Sequence, residues 1–295
     1  MKKEIKIIFE DKLKIRVKSI SKLGKGVSNI NYLVNNKYVF RLNANTLRPE
    51  KSKREFLTLK ALEKSNISPK PIYSEKNFMI LEYFKGKVFT NRIITKKFLK
   101  DLAKLTAKIH SLKPIKIPRE NVSNSKEMKL WLKNIKDKKI LNLISKVKFK
   151  KKSFKVKYVI SHGDICEQNV IKTKSGLRLI DFEDTALRDP AEDIAKIFVD
   201  FKEPFTKKQK EIFLNEYLKH RNDKTIRERI VYYEPIIVFT VFVWSIDYLT
   251  RIRNKQMHEA YLNKKDLKDA ENYSKKMLKR LILFKIIDKD ILNTI

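Results

Sequence analysis

A chain of 295 residues with 42% hydrophobic content is long enough to bury a substantial core, as one large domain or two smaller ones. With 5 Gly and 8 Pro it holds no Gly/Ser-rich or Pro-rich tract, and its single cysteine, Cys166, excludes an internal disulfide framework. The formal charge of +35 would suit nucleic acid or an anionic surface, but the lysines are dispersed, and without an interleaved aromatic and basic motif the charge reads as solvated faces and a Lys-, Ile- and Asn-rich composition.

The N-terminal stretch MKKEIKIIFEDKLKIR carries charges throughout rather than an apolar signal segment, so a cytoplasmic location is expected. Strand patterns cover Ile15 to Leu23 and Ile30 to Val34, and Asn35-Asn36 can take positive φ to turn the chain into a strand over Lys37 to Leu42. A helix is predicted from Pro49 to Lys64, with Phe56, Leu59 and Leu62 on one side. Two further strands follow, around Pro71 to Ser74 and Phe78 to Tyr83.

After residue 84 the pattern turns mainly helical. Phe98, Leu102, Leu105, Ile109 and Leu112 mark a helix from Thr95 to Leu112, with Lys100, Lys104 and Lys108 on its polar side. Short strands are predicted at Val156 to Ser161, Asn169 to Thr173 and Leu177 to Asp181, the last two joined by a Lys-Ser-Gly turn. Asp189-Pro190 and Thr206 suit helix starts, and a long apolar helix spans about 225 to 253. Its most apolar part, Pro235 to Ile246, is too short for a bilayer and reads as a buried helix, so no membrane span is expected. The domains read as 1–84, mostly strands, and 85–295, mostly helices.

Asp164 and Asn169 stand five apart in SHGDICEQN, and Asp181 follows in LIDFED at the end of an apolar strand. Phosphoryl transfer needs a carboxylate that orients or deprotonates an acceptor hydroxyl, and oxygen ligands that hold Mg2+ against the transferring phosphate. Asp164 suits the first task; Asn169 and Asp181 suit the second, since Mg2+ keeps waters and phosphates in its shell and needs few protein ligands. His162 is read as a loop-positioning residue, because Asp164 already supplies a proton acceptor, and Cys166 as an inert thiol. Gly24, Gly26 and Ser28 lie between two strands, where backbone amides can approach phosphate oxygens; Asn29 stands where a Gly-x-Gly-x-x-Gly loop would have its third glycine.

The segments HGDICEQN and IDFED resemble the His-x-Asp-x-x-x-x-Asn and Ile-Asp-Phe/Trp-Glu/Asp patterns of the aminoglycoside phosphotransferase and choline kinase superfamily. DPAEDIA and LAKLTAKIHSL, the latter ending near His110, resemble further family segments, so the likeness runs through most of residues 20 to 250. The resemblance implies an α+β, two-lobed, protein-kinase-like fold, with a small antiparallel sheet and one helix in the N-terminal lobe and a larger, mainly helical C-terminal lobe. It implies an ATP- and Mg2+-dependent kinase in which Asp193 braces the catalytic loop. It also implies that Arg41 replaces the strand lysine of protein kinases and pairs with Glu55, a substitution a guanidinium can serve. The backbone of Glu82 and Tyr83 would meet adenine, and the Gly24 loop would cover phosphate.

VFVWSIDYL resembles the amine-binding segment of choline kinases, which makes Trp244, Asp247 and Tyr248 candidates for the acceptor site, with Tyr233 earlier on the same helix and Glu183 of IDFED as further candidates; the plainer reading of these aromatics is core. Choline and ethanolamine are the first acceptors to consider, with an aminoglycoside, a sugar or another small alcohol as alternatives. The chain departs from choline kinases after IDFE, where it reads Asp184-Thr185-Ala186-Leu187-Arg188. A protein Ser/Thr kinase is disfavoured because Glu183 stands where Asp-Phe-Gly has glycine and no Ala-Pro-Glu follows; a non-catalytic RNA-binding protein would have lost Asp164, Asn169 or Asp181. The oligomeric state is not legible in the residues.

Overall fold

The computed structural model describes residues 1–25, 29–43, 49–89, 93–121, 126–201, 203–257 and 262–289. In chain order these form α1 (Lys2–Leu13), β1 (Ile20–Lys25), β2 (Asn29–Val34), β3 (Tyr38–Asn43), α2 (Pro49–Leu62), β4 (Pro71–Glu75), β5 (Phe78–Glu82), β6 (Gly86–Val88) and α3 (Lys96–His110). They continue as α4 (Lys126–Asn134), α5 (Lys138–Lys146), β7 (Val159–Ser161), β8 (Val170–Thr173), β9 (Gly176–Leu179), β10 (Ala186–Arg188), α6 (Pro190–Asp200), α7 (Lys207–Leu218), α8 (Ile226–Arg253) and α9 (Lys264–Leu283). Two compact units emerge: one comprises Met1–Leu105, Ile115–Ile117 and His162–Thr185, the other Thr106–Pro114, Pro118–Ser161 and Ala186–Ile295.

The first unit is built on an antiparallel sheet of order β1-β2-β3-β5-β4. Asn35 and Asn36 turn β2 into β3 at φ 53° and 54°, the left-handed region that asparagine tolerates. Because side chains alternate along β3, Phe40 joins the core against Phe78, while Arg41, opposite Asn31 and Met79, turns to the other face and meets α2. The helix α1 was not anticipated, and the first strand starts at Ile20 rather than Ile15. Its charges hide an apolar stripe: Ile5 and Phe9, one turn apart, are fully buried against Val34, Phe40, Phe78 and Ile80, with Ile8 packed beside them. Phe9→Ala is expected to lower the unfolding free energy by about 3 kcal/mol, through lost burial and a cavity, in a denaturant titration.

A smaller sheet, β6-β8-β9, carries the segments that flank the chemistry. Gly86 of β6 faces Thr173 so closely that a Cβ would lie 2.6 Å from Ile171 Cγ2 and 2.7 Å from the Lys172 carbonyl, so only glycine fits. Thr95 accepts a hydrogen bond from the Phe98 amide at the start of α3, whose Leu99, Leu102 and Ala103 are buried while Lys104 faces solvent.

In the second unit, the ladder of β7 and β10 is shorter than the expected strand. Asp189 caps α6 by accepting from the Ala191 amide, with Pro190 in the first turn, and Thr206 and Gln209 form a capping box on α7. Arg229 of α8, almost wholly buried, donates from Nε to Asp189 and from Nη1 and Nη2 to Asp223. Burial alone would raise the Asp223 carboxyl, but the Arg229 hydrogen bonds and charge, with Thr225, hold it below its ordinary value. By length and composition α8 could cross a membrane, contrary to the expectation that its apolar run is too short; 61% of its most apolar window is nevertheless buried inside the protein.

Candidate active site

The loop after β7 is organised by His162. Its Nδ1 accepts from the Asp164 amide at 3.2 Å, and its Nε2 lies 3.0 Å from the Ile180 carbonyl, so these partners fix the tautomer with the proton on Nε2. The ring is buried against Phe182 at 4.4 Å between centroids. Asn169 closes the loop: its Nδ2 donates to Asp164 Oδ2 at 2.8 Å and to the Asp164 carbonyl at 2.9 Å. The Ile180 amide in turn donates to the Asn169 carbonyl. Both backbone polar groups of Ile180 are therefore tied to the 162–169 loop, which sets Asp181 in register with Asp164 and Asn169.

Asp181 takes a φ of 68°, a left-handed conformation that aspartate tolerates but does not prefer. Arg41 holds it there. The guanidinium is almost fully buried, pairs through Nη2 with Asp181, lies 3.6 Å from Glu183 and donates from Nη1 to Glu55 Oε1 at 2.7 Å. Glu55 Oε1 also accepts from the Phe182 amide at 3.0 Å. Burial, and then the charges of Asp181, Glu55 and Glu183, act on Arg41 in opposite directions; the charges prevail and raise it above its ordinary value. Asn29 at the start of β2 donates to Glu183 at 3.2 Å, and a cleft beside Arg41 is lined by Asn29, Asn43, Lys51, Ser52 and Glu183.

Carboxylate oxygens of Glu55, Asp181 and Glu183 lie within 4.8 Å of one another. Burial pushes Glu183 up to about 8, reinforced by Asp181 and Asp184 and opposed by Arg41 and Lys51. Burial likewise pushes Glu55 up to about 7, with Arg41 and the Phe182 amide working against it. With Glu183 at about 8 and Glu55 at about 7, protons offset part of the negative charge that three carboxylates would place around one guanidinium, and a divalent cation would take the place of those protons. Asp181 is 31% exposed, and Asn169, whose amide nitrogen is committed to Asp164, would have its side-chain oxygen to offer. These are hard oxygen donors, so the residues fit Mg2+.

Other expected site residues fall in different places. Gly24 lies in β1, while Gly26 and Ser28 are outside the described residues. The amides of Glu82 and Tyr83 donate to the carbonyls of Lys70 and Lys37, so an adenine ring would have to use groups other than these two N–H donors. Asp193, in the second unit, lies 3.1 Å from His110 Nε2, and His110 Nδ1 lies 2.8 Å from the Tyr217 hydroxyl, a fully buried array.

The acceptor candidates of the second unit separate into two groups. Trp244 and Tyr248 stack at 5.5 Å and 2°, with Tyr273 edge-on to Trp244 at 5.8 Å, whereas Tyr233 is buried against Phe154 and Tyr232. Asp247 is 1% exposed and accepts from Arg251 Nε at 2.9 Å and Asn134 Nδ2 at 2.7 Å, so its charge is met internally. Lys51 and Arg54, which the sequence did not single out, and Asp184, noted only where the chain departs from choline kinases, join the site of the first unit: Lys51 pairs with Asp184, and Arg54 donates to the Glu183 carbonyl. The only signal for Lys51 and Arg54 was spacing, four and one residues before Glu55.

No curated protein matches the chain significantly. Among solved structures, choline kinase from Cryptosporidium parvum Iowa II shares 19% identity at a TM-score of 0.68, over 97% of this chain and 98% of that one. Choline kinase LicA from Streptococcus pneumoniae shares 19% at 0.66, over 95% and 98%. The aminoglycoside phosphotransferase APH(2'')-IIa, solved with gentamicin, shares 19% at 0.63, over 90% and 94%, and has also been solved as a ternary complex with streptomycin and ATP. At these identities the likeness establishes the two-lobed, kinase-like α+β fold. The profile of the phosphotransferase enzyme family matches residues 19–229, most of the chain. The chain therefore belongs to the phosphotransferase enzyme family and is a small-molecule kinase that transfers phosphate to a hydroxyl group.

Proposed function

We propose that this enzyme uses ATP and Mg2+ to phosphorylate the hydroxyl of a small amino alcohol of the choline or ethanolamine type, in the cytoplasm. The observation that carries the reading is the double tie of Ile180 to the 162–169 loop, which brings the Asp164–Asn169 pair and Asp181 into one rigid arrangement. Bound Mg2+-ATP supplies the phosphoryl group and the charge that offsets its oxygens. Asn169 Oδ1 and the Asp181 carboxylate would hold the metal. Arg41, oriented by Glu55, grips phosphate, with the segment that holds Gly24, Gly26, Ser28 and Asn29 assigned to cover it. Asp164 orients the acceptor hydroxyl and takes its proton as the oxygen attacks the γ-phosphorus and the bridging oxygen leaves with ADP. Asn169 and His162 keep that carboxylate in place. In this reading residues 1–84 cover the nucleotide, with adenine at Glu82 and Tyr83, and residues 85–295 supply the catalytic and acceptor groups.

The amino-alcohol class is supported by the exposed part of the Trp244, Tyr248 and Tyr273 cluster, whose Tyr273 hydroxyl donates to Asp200 at 3.2 Å. Aromatic faces attract a cationic head group, and Asp200 adds negative charge beside them. Glu183, two residues after Asp181, is a further candidate for contact with the acceptor. The similarity to APH(2'')-IIa favours an aminoglycoside as the second reading. Steady-state kinetics with choline, ethanolamine, an aminoglycoside and an uncharged alcohol test the proposal. A cation over aromatic faces is worth about 2 kcal/mol, so Trp244→Leu is expected to raise KM for the amino alcohol at least roughly tenfold and to leave that for ATP unchanged. Asp247→Asn is expected to lower the melting temperature instead, because it breaks the buried pair with Arg251. Turnover of the uncharged alcohol equal to that of the amino alcohols would remove the cationic class.

A further inference from the structure

Three consecutive residues after Asp181 are each held by α2. Phe182 donates its amide to Glu55, the Glu183 carbonyl accepts from Arg54 Nη2 at 2.9 Å, and the Asp184 carboxylate pairs with Lys51 Nζ at 2.5 Å. Lys51, Arg54 and Glu55 stand at i, i+3 and i+4, so one face of the first helical turns presents all three groups together. The Lys51 and Asp184 side chains are only 15% and 29% exposed, which limits screening of the pair by solvent. The segment held in this way begins at a residue with a left-handed φ of 68°, a conformation that persists only where the surroundings over-determine it.

From this geometry we infer that Lys51 and Arg54 are positioning residues: they fasten residues 183–184 to α2 and thereby fix the direction in which Asp181 presents its carboxylate to the metal. The inference rests on the reading of Asp181 as a Mg2+ ligand. It goes beyond the Arg41–Glu55 pair, because Lys51 and Arg54 act through the Asp184 side chain and the Glu183 backbone that follow Asp181. Asp184 opens the stretch in which the sequence departs from choline kinases, and Lys51 is its partner on α2, so the two form one device in this chain.

The test is the Mg2+ concentration that half-saturates the enhancement of mant-ATP binding, read by fluorescence with no acceptor and no turnover. Residues that orient a metal ligand typically influence metal affinity by 10- to 100-fold, so Lys51→Met and Asp184→Asn are each expected to raise this midpoint about tenfold. Metal-free mant-ATP affinity should stay near wild type. Lys51→Arg should retain the wild-type midpoint, and the exchanged pair Lys51→Asp with Asp184→Lys should recover most of the loss. If Lys51→Met does not fold, the exchanged pair and Lys51→Arg carry the test. Wild-type midpoints in folded single variants, or an exchanged pair no better than the singles, would overturn the inference. Asp181→Asn is measured alongside. A shift there without a shift at Lys51 and Asp184 removes the positioning role alone, whereas no shift in any of them removes the metal assignment and the inference with it.

Discussion

Asp164→Ala is expected to reduce phosphoryl transfer by roughly 10³-fold while nucleotide affinity stays near wild type. The asymmetry follows from where the side chain is held. Asp164 Oδ2 is fixed by Asn169, and the Asp164 amide by His162, so the carboxylate is an orienting group whose removal leaves the loop backbone tied to Ile180. Arg41, Glu55 and Asp181, the groups assigned to phosphate and metal, keep their mutual contacts. The measurement is turnover under saturating ATP and acceptor, beside a mant-ATP titration of the same preparation. Turnover preserved with nucleotide affinity lost would reverse the assignment of roles. One secondary effect is expected: Asn169 loses one acceptor for its Nδ2, so a small rise in the Mg2+ requirement accompanies the loss of turnover.

The sequence disclosed local groupings better than the framework around them. That Asp164 and Asn169 group together, with Ile180 tied to their loop, was legible because the 162–181 segment is short enough for sequence separation to report geometry. The Arg41–Glu55 pair was legible only through the family resemblance. The Asn35-Asn36 turn and the Asp189-Pro190 and Thr206 helix starts were legible because each depends on local backbone preferences. The α1 helix was not, because seven of its twelve residues are lysine, glutamate or aspartate, and its stripe of Ile5 and Phe9 is too narrow to stand out until the sheet is there to receive it. Asp247 was misleading for a related reason: one turn from Trp244 it looks available, but Arg251, one turn further on, neutralises it in the interior. Lys51 and Asp184 lie 133 residues apart in the chain, a pairing that no local pattern encodes.

Asp181→Asn is expected to abolish most of the Mg2+ dependence of nucleotide binding, raising the metal midpoint by at least about a hundredfold, because it removes a charged ligand itself rather than a residue that orients one. Asparagine is the informative substitution here. It preserves the shape of the side chain and tolerates the left-handed φ of 68°, so the loop is not asked to adopt a new backbone, as it would be with alanine. The Arg41 guanidinium loses a charged partner but keeps Glu55 at 2.7 Å, and it remains available to phosphate. Metal-free nucleotide affinity should therefore fall little, and the melting temperature should stay close to wild type. The charge of Asp181 also helps to raise Glu55 and Glu183, so both carboxyls should move down towards their ordinary range in the variant. Paired mant-ATP titrations with and without Mg2+ separate the contributions: a variant whose two curves coincide has lost the metal site, and Asn169→Ala should show the same convergence in weaker form. If the separation between the curves survives Asp181→Asn intact, the metal is held elsewhere, and the cluster of Glu55, Asp181 and Glu183 serves only to neutralise Arg41.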